Sequence, residues 1–131
     1  MAGRIRLKVR LDLPPKELTP NCRCHFMAKA NKTKKYRSAA METAMVAASE
    51  AGMSDPMDRA SVKATFYCRD SRARDADNAL ASLKAAFDGL ADAGVVTNDR
   101  KLRFEPVEFC VDRDSPRVEL VVKEMKEKGG E

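Results

Sequence analysis

Asp75, Asp77 and, further along the chain, Asp99 stand in the neighbourhood of Arg69, Arg72 and Arg74. Carboxylates alone would repel a phosphate backbone, and arginines alone would only hold it. Together, in Arg69-Asp70-Ser71-Arg72-Ala73-Arg74-Asp75-Ala76-Asp77-Asn78, they offer hard oxygen donors for Mg2+ beside cations for phosphate. That combination points to metal-assisted chemistry on a phosphodiester. Each acid alone also has a structural reading, because aspartate is a favoured helix N-cap and a first-turn anion complements the helix dipole. An extended Asp-x-Asp turns both side chains to one side, whereas on a regular helix they diverge by about 200°, so the motif works best just before a helix begins.

The elements around these residues follow from periodicity. Ile5, Leu7, Val9, Leu11 and Leu13 alternate with charged residues, the pattern of a half-buried strand that Pro14-Pro15 ends. Residues 16–37 read as a long basic loop, and Tyr36, Ala40, Ala44, Ala47 and Ala51 then mark a small-residue helix face over about Lys34 to Ala51, with Gly52 placed to stop it. Val62, Ala64, Phe66 and Cys68 give a second strand that delivers the chain to the Asp/Arg segment. Leu80, Leu83, Phe87 and Leu90 predict a helix from about Asp77 to Ala93, with Gly94 at its end. Leu102 and Phe104 share one parity and Phe109 and Val111 the other, with Pro106 between, which predicts a strand broken by a bulge. Asp112 to Pro116 reads as a hairpin turn to a last strand from Arg117 to Lys123. The expected fold is α+β, a single mixed β-sheet with two helices in the order β-α-β-α-β-β, leaving the other sheet face for a partner subunit or DNA.

Two distances are open at this level. A helix of some sixteen residues spans about 24 Å, so Asp99 meets Asp75 and Asp77 only if the chain turns back or a second subunit supplies it. On one continuous helix Lys84 would lie about 20° around the axis from Asp77 but roughly 10 Å along it. It could then neutralise charge developing on a phosphate, or simply be a solvated helix lysine.

Composition bounds the rest. A chain of 131 residues, 44% hydrophobic and 34% charged, reads as one globular domain over 1–131 with a frayed C-terminus at 124–131. The net charge of +5 is localised: Met1 to Arg37 holds eleven Lys and Arg against two acids, which points to a polyanionic partner. Lys29, Lys32, Lys34, Lys35 and Arg37 are its candidate phosphate contacts, with Arg69, Arg72 and Arg74 as the clamp nearer the acids. No hydrophobic run has the length of a membrane helix and Met1 to Leu13 has no signal-peptide core, so a cytoplasmic protein with reduced thiols is expected. Cys22-Arg23-Cys24-His25 lacks a second cysteine pair for structural zinc, which leaves Cys22, Cys24, Cys68 and Cys110 as free cysteines.

Arg72-Ala73-Arg74-Asp75-Ala76-Asp77-Asn78, Lys84-Ala85-Ala86-Phe87-Asp88-Gly89-Leu90 and Ala93-Gly94-Val95-Val96-Thr97-Asn98-Asp99 together resemble the signature of the RusA family of Holliday-junction resolvases. Leu13-Pro14-Pro15, Tyr36-Arg37 and Arg117-Val118-Glu119-Leu120 extend the likeness over most of the chain. The resemblance implies a homodimeric α+β endodeoxyribonuclease that cuts four-way DNA junctions symmetrically with Mg2+ or Mn2+. It places the metal-binding catalytic acids at Asp75, Asp77 and Asp99 and the catalytic lysine at Lys84. One departure is a longer interval between Asp-x-Asp-Asn and Lys84, almost one helical turn more. The expected partners are a DNA junction and a second copy of the chain, with no membrane and no small-molecule substrate. The competing readings are a non-catalytic nucleic-acid-binding module and a metal nuclease acting on forks, flaps or RNA.

Overall fold

The computed structural model describes residues 5–125. Strand β1, Arg6–Leu11, buries Leu7, Val9 and Leu11 and exposes Arg6, Lys8 and Arg10, as the alternation requires. It pairs antiparallel with β5, Arg117–Glu124, which pairs antiparallel on its other side with β2, Ala60–Cys68. Strands β3, Leu102–Phe104, and β4, Glu108–Val111, both lie parallel to β2 on its far side. One mixed sheet results, in the order β1-β5-β2 and then β3 and β4.

The expected bulge is present. Ladder partners advance from Val62 to Thr65 on β2 while the facing chain advances from Phe104 to Glu108, one residue more, and Pro106 sits in the excess. The expected hairpin is not. After the turn at Asp112 to Pro116 the chain crosses β2 instead of folding back on β4, so β5 lies at the centre of the sheet. Burial accounts for this: Val118, Leu120 and Val122 are fully buried, whereas β4 carries Glu108, Cys110 and Val111 exposed.

Helix α1, Phe26–Glu50, starts well before the expected position, so most of the predicted basic loop over 16–37 is helix. No residue from Phe26 to Lys35 is buried. These turns hold good helix formers but no apolar stripe, and periodicity detects only a helix that buries a face. His25 caps them, its Nδ1 accepting the Met27 N–H at 3.2 Å. Ahead of the helix Cys22 and Cys24 stand side by side as a pair, while Cys68 and Cys110 are free, as expected. At the other end of the chain Glu124 closes β5 and the Met125 N–H bonds to the Arg59 carbonyl, so these two are not frayed. The remainder of the predicted frayed segment lies outside the described residues.

The predicted second helix is two: α2, Ala76–Ala81, and α3, Lys84–Asp92, separated at Ser82-Leu83. This break falls inside the longer interval before Lys84, so Lys84 opens a new helix and the reach expected along a single axis does not apply. Gly52 and Gly94 end α1 and α3 with φ of 73° and 78°, a region costly for any residue with a Cβ. Where α1 crosses α3 the backbones nearly touch: a Cβ added to Gly89 would stand 2.6 Å from the Arg37 carbonyl oxygen and 2.8 Å from the Ala40 Cβ. Tyr36, Ala40 and Ala44 are the buried residues of α1, and the Tyr36 hydroxyl donates to the Asp12 carbonyl at 2.7 Å.

Gly89→Ala and Ala40→Leu are each expected to destabilise the fold by about 1–3 kcal/mol through overpacking. Ala39→Leu, on the exposed side of the same helix, should stay within about 0.5 kcal/mol. Urea midpoints at unchanged m-value read all three.

Candidate active site

Beyond Cys68 the chain enters a loop organised by an acid whose part sequence reasoning missed. Asp70 accepts from the Arg72 guanidinium at 3.1 Å, the Arg74 guanidinium at 2.8 Å and the Arg72 N–H at 3.1 Å. Hydrogen bonds from Arg74, then from Arg72, hold its carboxyl down at about 2. Arg74 is further tied to the carbonyls of Arg72 and Asp70. Of the three expected phosphate clamps, Arg74 is thus bound into the loop, Arg72 shares Asp70 while staying largely exposed, and Arg69 is exposed with no side-chain hydrogen bond among the described residues. The signal for Asp70 was available in its spacing to Arg72 and Arg74.

Asp75 is the N-cap of α2, in extended conformation, its Oδ1 accepting the N–H groups of Asp77 at 2.9 Å and Asn78 at 3.2 Å. Asp77 follows in the first turn, exposed. The capping leaves Oδ2 of Asp75 and the whole Asp77 carboxylate without hydrogen bonds among the described residues.

Asp99 lies elsewhere, in a short 3-10 turn, Asp99–Lys101, after α3, capped by the Asn98 side chain. Lys84 binds it: Nζ is 2.7 Å from Asp99 Oδ2 and 2.6 Å from Asp88 Oδ1. Arg37 continues the series, 3.9 Å from Asp88 and paired through two hydrogen bonds, at 2.5 and 2.9 Å, with Asp92. Five alternating charges, Asp99, Lys84, Asp88, Arg37 and Asp92, therefore run from the 3-10 turn to α1. Asp88 and Asp92 were not anticipated, although Asp88 stands four residues after Lys84 on the helix, the spacing of an ion pair. The hydrogen bonds that Lys84 donates to Asp88 and then to Asp99 push it above its ordinary value, and Lys84 holds Asp99 below its own. Lys84 is thereby kept protonated. Arg37, expected to hold DNA, is committed to this series, while Lys29, Lys32, Lys34 and Lys35 are exposed on the projecting turns of α1.

The structure of one chain joins Lys84 to Asp99 but does not gather Asp75, Asp77 and Asp99. Among the described residues no three His, Cys, Asp or Glu side chains form a group that could hold a metal ion. The two halves are neighbours through Ser82, which lines both a cavity of about 300 Å3 against Asp75 and another of about 340 Å3 bordered by Lys84, Asp88 and Lys29. As donors the carboxylates suit Mg2+, a hard cation that takes oxygen ligands and keeps several waters, and Asp75 Oδ2 and Asp77 are open to it.

The sheet face away from the helices is also basic. Arg6, Lys8, Lys63 and Lys123 surround a shallow cavity of about 360 Å3 there. Glu119 binds Lys8 at 3.1 Å and Arg117 at 2.7 Å, and the Arg117 guanidinium lies over the Tyr67 ring, 3.9 Å from its centroid. No helix of the described residues is long and apolar enough to cross a membrane.

A sheet with this order, with an Asp-x-Asp turn leading from its central strand into a helix, defines a class that the family comparison specifies. Residues 16–123 match the family model described as endodeoxyribonuclease RusA. The chain belongs to the RusA family of endodeoxyribonucleases. No curated protein matches it. Among solved structures it is similar to cyanuric acid hydrolase from A. caulinodans, at 15% identity over 96% of this chain and 40% of that one, with a TM-score of 0.44. A second cyanuric acid hydrolase structure shows 14% identity, 97% and 39% coverage and a TM-score of 0.41. The chain thus spans about 40% of the length of these structures, and likeness at that level carries no functional argument.

Lys84→Ala should let the Asp99 carboxyl rise towards the ordinary carboxylate range, followed by carbon-detected NMR titration. Asp70 has a depressed folded-state pKa, so its ordering of the loop is complete above the ordinary value of 3.8 and fades as the pH falls through about 2. The amide shift of Arg72, whose N–H donates to Asp70, should titrate with that same low midpoint, and lose the transition in Asp70→Asn.

Proposed function

We propose that this protein is a structure-specific endodeoxyribonuclease that resolves four-way DNA junctions by paired symmetric cuts, acting as a homodimer and depending on Mg2+ or Mn2+. The observation that carries the reading is the match to the RusA family over residues 16–123, which contains both acidic segments and Lys84. A two-fold dimer suits a substrate that requires two symmetry-related cuts.

Asp75, Asp77 and Asp99 are the residues that would hold the metal, with Asp99 contributed within the chain or across the dimer. Bound there, the metal would supply an activated water and charge neutralisation at the leaving 3′ oxygen. The geometry supports particular roles for the chain's own residues. Asp75 anchors the first turn of α2 through Oδ1 while Oδ2 remains for a ligand, so the cap and the catalytic role use different atoms. Lys84, kept protonated by Asp88 and Asp99, acts as a cation facing the phosphate and not as a base. Exchange of the Lys84 partner from Asp99 to a phosphate oxygen frees Asp99 for coordination. Lys29 lines the same cavity as Lys84, so the basic turns of α1 continue the phosphate-binding surface away from the site.

A second reading has two observations in its favour. Asp75 caps a helix and Asp99 is neutralised by Lys84, as in a module that binds DNA without cutting it.

A labelled four-way junction incubated with protein and Mg2+, or with chelator, separates the two. Expected are symmetric nicks only with metal, retained junction affinity in Asp75→Asn and Asp77→Asn, and loss of cutting in both. A binding module would cut nothing at the outset. Replacing Lys29, Lys32, Lys34 and Lys35 with Gln should weaken binding and lower the slope of log K against log salt by about 0.9 for each phosphate that the variant no longer neutralises.

A further inference from the structure

The open cavity of about 300 Å3 against Asp75 has a composition the proposed chemistry does not use. Its floor is aromatic: Phe66 and Phe109 are ladder partners on β2 and β4, with ring centroids 5.5 Å apart, and Phe109 is only half-buried. Leu13, two residues beyond β1, adds to the apolar wall. The polar atoms are few and their state can be read. The Thr19 hydroxyl donates to the Lys16 carbonyl at 2.7 Å, and the Ser82 hydroxyl to the Ala79 carbonyl at 2.6 Å. With their protons committed, both oxygens offer the cavity lone pairs only. The Asn78 side chain has no hydrogen bond among the described residues and can both donate and accept. Arg74, at the rim, is held by Asp70.

An apolar slot with an aromatic floor, two acceptors and one amide is complementary to a planar heterocycle carrying an exocyclic amine. Its volume is sufficient for one such ring system, and its wall contains a candidate catalytic acid. A DNA strand whose phosphate lies at Asp75 would bring an adjoining base to the mouth of the slot. Extrusion of a base costs least where pairing is already interrupted, as at a branch point.

We infer that this cavity receives one unstacked nucleobase of the strand bound at Asp75, preferring amine-bearing bases to thymine, and so sets sequence preference at the cut. The inference rests on the reading of the protein as a junction endonuclease. Phe109 supplies the stacking surface and Asn78 the edge contact.

The test places 2-aminopurine, whose fluorescence rises on unstacking, at the branch point of a junction bound by full-length Asp77→Asn protein. Emission should rise on binding, and rise less when Phe109→Leu is added. With unaltered protein, an abasic residue at that position should weaken junction binding about tenfold, the order of one base–aromatic stack. Asn78→Ala should narrow the ratio of kcat/KM between amine-bearing bases and thymine. Unchanged emission, or equal affinity for abasic and intact junctions, would overturn the inference, and the abasic comparison needs no variant that could misfold. If the unaltered protein cuts no junction, the underlying reading fails; if it cuts with indifference to the base and to its removal, the cavity assignment alone fails.

Discussion

The contact between α1 and α3 is the constraint on which the rest of the site depends. Gly89 brings the two backbones so close that a single added carbon would strike the Arg37 carbonyl. This proximity needs small residues on both sides, and Ala40 and Ala44 supply them from α1. It has an electrostatic result as well as a steric one. Arg37 lies at the crossing, so it reaches Asp88 and Asp92 on α3, and Asp88 reaches Lys84 one turn earlier. A helix pair held further apart would leave these side chains solvated and independently mobile.

The same series of charges sets the chemical character of Lys84 and Asp99. Exposed ion pairs contribute little to stability, so its importance lies in fixing protonation and position. Lys84 has two carboxylates within hydrogen-bond distance and one of them, Asp99, is needed elsewhere in the proposed chemistry. Asp88 would retain the lysine if Asp99 were withdrawn. The loop before α2 follows a similar logic, with Asp70 immobilising Arg74 and partly occupying Arg72. Acids within the arginine cluster therefore have two separate duties: Asp70 shapes the loop, and Asp75 and Asp77 face outward from the start of α2.

Placement of β5 at the centre of the sheet determines what the uncovered face offers. Because β5 lies between β1 and β2, Lys8 of one edge and Arg117 of the middle meet on Glu119, and Lys63 and Lys123 complete a cationic surface. Like charge on two such faces opposes self-association there. The projecting turns of α1 form a second basic surface on the helical side, beside Lys84.

Residues 6–11 and 62–68 were legible as strands because buried side chains alternate with less buried ones, charged in the first strand and mostly polar in the second, and Gly52 and Gly94 as helix ends because only glycine readily takes their conformation. The parity switch around Pro106 disclosed a bulge for the same local reason. The first turns of α1 were not legible, since a solvated helix imprints no apolar period, and neither was the break at Ser82-Leu83, which interrupts a pattern whose apolar spacing continues across it. Strand order also escaped local reading, because β4 and β5 compete for neighbours according to total burial. What the sequence by itself determined is the inventory: acids, cations, small residues and turn formers at stated places. Tertiary structure decided their pairing, binding Asp99 to Lys84 and setting Asp75 against the cavity, because side chains that are remote along the chain acquire relative positions only when backbones pack.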